Sequence, residues 1–290
     1  MKILFILGLY ITTLLAVEPL VSTTWLHQSF QNSKLIIIDV SDEKLYKQEH
    51  IPKSINSPLS HWRQKHGNYS LVKDKKNITK EFQRLGINKD SHVIIYSHYS
   101  NKKDILKASY IMWAMEYYGF TNTSMLDGGL KAWQEELFEM NTTEYIAIKQ
   151  GTFQVKREVK LIADLEFVKK EIGHANMIDA RPAKYYFGSQ KQVVLAKAGH
   201  IPQAKSYFWQ YSFEGDYIKD KALLEKMLIL GLNLEPNKIT ITYCTGGLET
   251  SMNFFILHRI LGFNNIYLYD ASMKEWANSS TTSMTLYKWE

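Results

Sequence analysis

Ile239-Thr240-Ile241-Thr242-Tyr243-Cys244-Thr245-Gly246-Gly247-Leu248-Glu249-Thr250 reads as a β-branched strand, a short loop holding paired glycines, and the first turn of an amphipathic helix. Glycines let such a loop bend until several backbone N–H groups point inward, and the helix N-terminus adds partial positive charge, so the loop makes an anion cradle. In parallel sheets ligands bind beyond the carboxyl ends of the strands. Cys244 stands there, and a thiol within a cradle is expected to ionise more readily and to act as a nucleophile. It is the only cysteine in the chain, which excludes an intrachain disulfide, cysteine zinc knuckles and iron–sulfur ligation.

Working outward, the same landmarks occur twice, about 145 residues apart. Ile36-Ile37-Ile38-Asp39 is answered by Met177-Ile178-Asp179, and His50-Ile51-Pro52 by His200-Ile201-Pro202. Leu85-Gly86-Ile87 is answered by Leu230-Gly231-Leu232, Gly119-Phe120 by Gly262-Phe263, and Trp133 by Trp276. Val93-Ile94-Ile95-Tyr96 takes the place of the strand before Cys244, and Ser97 takes the place of the cysteine. Short β-branched runs alternate with helix-length segments such as 103–118 and 250–261, which gives the α/β class. The expected organisation is a first domain over 18–143, a polar linker over 144–158 and a second domain over 159–290.

The chain has 290 residues, of which 45% are hydrophobic and 22% charged, the composition of a folded protein long enough for two cores. Its net charge of +6 is scattered along the sequence, which argues against nucleic acid as a partner while leaving a mild preference for anionic small molecules. Lys2 followed by the apolar run Ile3–Val17 has the pattern of a signal peptide over 1–17, too short to span a bilayer. A periplasmic or secreted location follows as an expectation, with no stable membrane association once the leader is removed.

The chain resembles the tandem-domain rhodanese or sulfurtransferase family. The resemblance rests on Pro19–Thr23 before Trp25-Leu26, Asp39, His50-Ile51-Pro52, Leu126-Asp127-Gly128-Gly129-Leu130 and Trp133, then on Asp179-Ala180-Arg181, Gly199–Pro202, Tyr243-Cys244, and Tyr269-Asp270 to Trp276. It implies two tandem rhodanese-like domains, each a parallel sheet with helices on both faces, the first one degenerate. It implies also that Cys244 takes sulfur from a donor of the thiosulfate or 3-mercaptopyruvate type, becomes a persulfide, and passes the sulfur to cyanide or a thiol, with no metal or organic cofactor. Thr245, Gly246, Gly247, Leu248 and Glu249 would surround the substrate, and Arg181 would grip its anionic group. Family members are often monomers, and the same is expected here.

The loop departs from the family's subtypes. Thiosulfate-specific members carry basic residues just after the cysteine, and this loop has Thr245 and Gly246. Asp39 and His50 match two members of a serine–histidine–aspartate arrangement in mercaptopyruvate-specific enzymes, but the serine position is Gly246, so the relay is incomplete and His50 and His200 are expected to be structural. Glu249 either faces the sulfur and opposes its ionisation, or faces solvent and caps the helix. With no Lys or Arg between Cys244 and Thr250, Arg181 and the amides would carry most of the charge compensation, and thiosulfate is expected to be a weak donor. A phosphatase-like reading needs Arg where Thr250 stands. A Cys–His hydrolase reading meets only His258 downstream, expected to lie partly exposed on its helix. The remaining alternative is a secreted binding or sulfur-carrying module without turnover.

Overall fold

The computed structural model describes residues 17–147, 149–157 and 159–290. The expected leader therefore lies outside the described residues, apart from Val17. Among the described residues no helix is long and apolar enough to cross a membrane.

In the first domain, strands β1 (Leu20–Val21), β2 (Leu35–Asp39), β3 (Ser54–Asn56), β6 (His92–Tyr96) and β7 (Thr123–Leu126) form one sheet in the order β1-β7-β6-β2-β3, all parallel. In the second, β8 (Asn176–Asp179), β9 (Lys205–Ser206), β12 (Thr240–Tyr243) and β13 (Ile266–Leu268) form a parallel sheet in the order β13-β12-β8-β9. Each domain also projects an antiparallel hairpin, β4-β5 (Arg63–His66 and Tyr69–Val72) from the first and β10-β11 (Phe213–Glu214 and Tyr217–Ile218) from the second. Two copies of one parallel α/β unit are what the sequence repeat predicts.

The period of two along a strand decides where each side chain goes. In β6, Val93 and Ile95 enter the central core, whereas Ile94 and Tyr96 enter the outer core of the first domain. In the second domain Ile241 and Tyr243 point to the outer core, so the next residue, Cys244, is turned to the central one. That central core is shared: it joins Ile38, Ile95 and Trp113 of the first domain to Met252, Phe255 and Leu268 of the second. Along this seam the helix Ile105–Tyr117 lies against the helix Leu248–Phe255, with the hydroxyls of Ser109 and Ser251 2.7 Å apart. Cys244 therefore faces the other domain rather than bulk water.

The polar segment expected to act as a linker is strapped onto the first domain. The Gly151 amide donates to the Gln83 carbonyl at 2.8 Å, the Phe153 amide donates to Ile87 at 3.0 Å, and the Phe153 ring packs against Phe82 and Phe120. His258 is also committed to the seam: its Nε2 meets Glu116 Oε1 of the first domain at 2.7 Å. That pairing, against the opposing effect of burial, raises the imidazole above its ordinary value and removes His258 from any catalytic role beside Cys244.

Candidate active site

The loop after β12 wraps its backbone around Cys244. The Gly247 amide donates to Sγ at 3.1 Å, and the Gly246 and Thr250 amides also favour negative charge on the sulfur. Gly247 has φ +95°, and a Cβ there would strike Asp270 Oδ1, so the cradle needs glycine at this position. From behind, the Cys244 amide donates to Ser272 Oγ at 3.1 Å, while the Met273 amide donates to the Cys244 carbonyl at 3.0 Å and that of Lys274 to Thr245 at 2.9 Å. Thr245 Oγ1 donates to Gln192 Oε1 at 2.9 Å.

The thiol is not ionised as readily as the cradle alone suggests. Cys244 is 1% exposed, and burial, helped by the charge of Glu249, pushes it up to about 11 against the pull of the amides. Desolvation wins because the first domain covers the loop.

That cover is specific. Arg63, on the β4-β5 hairpin, donates through Nη2 to the Gly246 carbonyl at 2.7 Å, to the Ser70 carbonyl at 2.6 Å and to Asp270 Oδ1 at 3.2 Å. Asp270 Oδ2 accepts from the Val72 amide at 2.8 Å and from the Tyr110 hydroxyl at 2.9 Å. One buried carboxylate thus ties the second domain's loop to a strand, a helix and a guanidinium of the first. Burial lifts Asp270 above the ordinary carboxylate value, and Arg63 draws it back.

A cavity of about 480 Å³ opens above the sulfur, with Cys244, Thr245, Gly246, Leu248 and Glu249 on one wall. The opposite wall comes from the first domain and carries Arg63, Lys103 and Lys107, while Lys274 and Gln192 complete the rim. Positive charge near the sulfur is therefore supplied from outside the loop, which corrects the expectation that Arg181 and the amides carry most of it. Sequence reading gave no site role to Arg63, Lys103, Lys107, Gln192, Asp270, Ser272 or Lys274. The segment Tyr269-Asp270 to Trp276 stood out beforehand only through the family resemblance, and the cations on distant elements carry no local signal.

Arg181 is not brought to this cavity. It is 1% exposed, its Nε donates to Asp179 Oδ1 at 2.9 Å, and its Nη2 donates to Asp179 Oδ2 at 2.5 Å and to the Gly199 carbonyl at 2.7 Å. Residues two apart along an extended strand lie on one side, so Asp179 captures the guanidinium before a ligand can. Glu249 takes the inward orientation: it lines the cavity, and its Oε2 is buried with no hydrogen-bond partner among the described residues. Burial pushes its carboxyl up to about 7, with Lys103 pulling it back and Asp179 adding to the rise.

The first domain reproduces the frame without the sulfur. The Leu130 amide donates to the Ser97 carbonyl at 2.9 Å, as Met273 does to Cys244, and the Ile218 amide of the second domain's hairpin reaches Asp127 Oδ1 at 3.3 Å, as Val72 reaches Asp270. There Tyr99, at φ +58°, lays its ring against Gly129, and its hydroxyl donates to the Asp216 carbonyl at 3.0 Å. His98 Nε2 meets Asp39 Oδ2 at 2.9 Å, so Asp39 does not pair with His50. His50 and His200 instead stack on Tyr46 and Tyr186 at 3.8 Å, each with Nδ1 on the carbonyl of that tyrosine. Ser97→Ala is expected to leave the sulfur-transfer rate within about threefold, under 1 kcal/mol of barrier. A loss of a hundredfold in steady-state kinetics would give the first domain's loop a direct part in the chemistry.

Among the described residues no group of His, Cys, Asp or Glu is arranged to hold a metal ion. A family profile described as Rhodanese-like domain matches residues 22–136 and 164–279. A protein named Sulfur carrier protein TtuD, from Thermus thermophilus, is 28% identical over 279 residues, 90% of this chain and 94% of its own length. A protein named Thiosulfate sulfurtransferase, from Corynebacterium glutamicum, is 25% identical over 285 residues, 90% of this chain and 88% of its own. Among solved structures, SseA from Escherichia coli, titled as a 3-mercaptopyruvate sulfotransferase, superposes with a TM-score of 0.77 at 22% identity, covering 88% of this chain and 99% of that one.

Proposed function

The chain belongs to the rhodanese-like domain family, and from that premise we propose that it is a sulfurtransferase in which Cys244 accepts a sulfane sulfur from a small anionic donor and passes it to a thiophilic acceptor. The observation that carries this reading is the placement of the single thiol against the Gly247 amide at 3.1 Å, in a cavity whose other wall bears Arg63, Lys103 and Lys107. The amides that hold a thiolate hold a persulfide anion equally well. The thiolate attacks the outer sulfur of thiosulfate, sulfite leaves, and cyanide or a thiol then takes the outer sulfur and returns the thiolate. The cations across the cavity favour a dianionic donor, so we place thiosulfate among the substrates despite the loop's own composition.

A carrier reading without turnover is favoured by one observation, the burial and raised pKa of the thiol, and by the likeness to a protein named as a sulfur carrier. Cyanide-dependent formation of thiocyanate from thiosulfate and from mercaptopyruvate, alongside the mass of the intact protein after donor treatment, separates the two. An enzyme gives multiple turnovers, whereas a carrier gains one sulfur and stops. Absence of any added sulfur sinks both readings.

Lys103→Ala and Lys274→Ala are each expected to lower kcat/KM for thiosulfate about three- to tenfold, mainly through KM, and to flatten the wild type's loss of efficiency with added salt. Unchanged kinetics in both variants would return the charge compensation to the backbone. Export by the leader over 1–17, yielding a periplasmic or secreted monomer, belongs to the same proposal. N-terminal sequencing of the mature chain and its size in solution test it.

A further inference from the structure

Glu249 shares the cavity with Cys244, and its buried Oε2 has no donor among the described residues, an arrangement costly enough to ask what occupies that oxygen during the reaction. The cavity's other carboxylate is committed. Asp104 Oδ2 accepts from the Asn101 amide at 3.0 Å, and Oδ1 faces Lys107 at 3.3 Å. Among the described residues no histidine lines this cavity, and Arg63, Lys103, Lys107 and Lys274 are donors in their charged forms. A thiol that must lose a proton thus has an uncommitted carboxylate oxygen in its own cavity.

We propose that Glu249 moves the proton in sulfur transfer, taking it from Cys244 Sγ and delivering it to the departing sulfite. The proposal rests on the sulfurtransferase reading above. In the first half-reaction the S–H bond breaks and an O–H bond forms on Glu249. The freed lone pair on Sγ bonds to the outer sulfur of thiosulfate, and the electron pair of the donor's S–S bond leaves with sulfite. Glu249 then protonates that sulfite, so thiol, thiosulfate dianion and carboxylate become persulfide anion, hydrogen sulfite and carboxylate. In the second half-reaction cyanide takes the outer sulfur, the S–S pair returns to Sγ as a thiolate, and that thiolate takes one proton from solvent to restore the thiol with which each turnover begins, Cys244 being pushed up to about 11.

The surroundings suit this role. Glu249 feels the charges of Lys103 of the first domain, of Asp179 at the end of β8 and of Arg181 just past it, and it lies near the Thr245 amide and Cys244. Arg63, Asp104, Lys107 and Lys274 complete the charged groups around the cavity. Burial outweighs the cations and brings Glu249 up to about 7, where it exchanges a proton at neutral pH. Moving the proton onto Glu249 also removes the like charge that opposes the thiolate, so protonation of the carboxylate assists ionisation of the thiol.

The test uses the full chain as wild type, Glu249→Gln and Glu249→Asp, each followed in two ways between about pH 5 and 9. One readout is single-turnover persulfide formation from thiosulfate, followed by mass; the other is alkylation of Cys244 by iodoacetamide, which reports the thiolate and an intact loop. Glu249→Gln is expected to be alkylated faster at a given alkaline pH, because a like charge is gone. It should nevertheless transfer sulfur about a hundredfold more slowly at neutral pH and lose the rise in rate near pH 7, with Glu249→Asp recovering part of both. A spectator charge moves the two readouts in the same direction. Faster sulfur transfer together with faster alkylation in Glu249→Gln therefore overturns the proton role while leaving the sulfurtransferase reading intact. A wild type that alkylates normally but gains no sulfur overturns that reading and the proton role with it.

Discussion

Cys244→Ser is expected to abolish thiocyanate formation, a fall of about 10⁴-fold or more, and with it the mass gain of one sulfur after donor treatment. The chain holds no second thiol to substitute, and a serine hydroxyl neither ionises near neutral pH nor forms a persulfide. The substitution should be mild for the fold. A hydroxyl is slightly smaller than a thiol and can accept the Gly247 amide in place of Sγ, so unfolding free energy should stay within about 1 kcal/mol. Near-native stability with no activity identifies a chemical loss rather than a collapsed loop. Residual thiocyanate at more than about a hundredth of the wild-type rate would locate the sulfur carrier elsewhere.

Arg63→Met should have the largest effect on stability, about 3–5 kcal/mol at neutral pH, measured by chemical denaturation. The Arg63 side chain is 10% exposed and that of Asp270 is 1% exposed, so solvent cannot replace the lost cation. Methionine preserves much of the volume packed on the Tyr110 ring, which lies 4.6 Å from the guanidinium, but it leaves the Asp270 charge supported only by the Val72 amide and the Tyr110 hydroxyl. The sign of the pH dependence follows. Burial already raises Asp270 above its ordinary value, and removing Arg63 raises it further, so the folded state binds a proton where the unfolded chain does not. Stability of the variant therefore falls as pH rises from the ordinary carboxylate range through the raised value, and the deficit shrinks on acidification. Asp270→Asn in the Arg63→Met background should recover much of the loss, because no unpaired charge then remains. Equal stability of Arg63→Met and wild type at neutral pH would remove the ion pair from the interface. Activity should fall as well, since the Gly246 carbonyl loses the guanidinium that holds the cradle's far side.

The two halves, their parallel sheets and the place of Cys244 were legible because strand alternation and the repeat are properties of neighbouring residues. The turn from Tyr243 in the outer core to Cys244 in the central core is one step of a period-two pattern, and a reader of the sequence can count it. Arg181 shows the limit of residue type as evidence. An arginine at the end of a strand fits an anionic ligand, but Asp179 two residues earlier sits on the same side and holds it. The orientation of Glu249 was open for a similar reason: a first-turn carboxylate fits a capping role or a cavity equally well until the facing wall is known.

Sequence by itself therefore determined the duplicated α/β frame, the single nucleophile and the amides around it, since all three follow from short-range pattern and backbone geometry. Tertiary structure alone decided the electrostatics of that nucleophile. Arg63, Lys103 and Lys107 come from the other domain, the same cover buries the thiol and pushes it up to about 11, and Glu249 is turned inward beneath it. Charge and desolvation depend on distance and on excluded water, and elements more than a hundred residues apart in the chain set both.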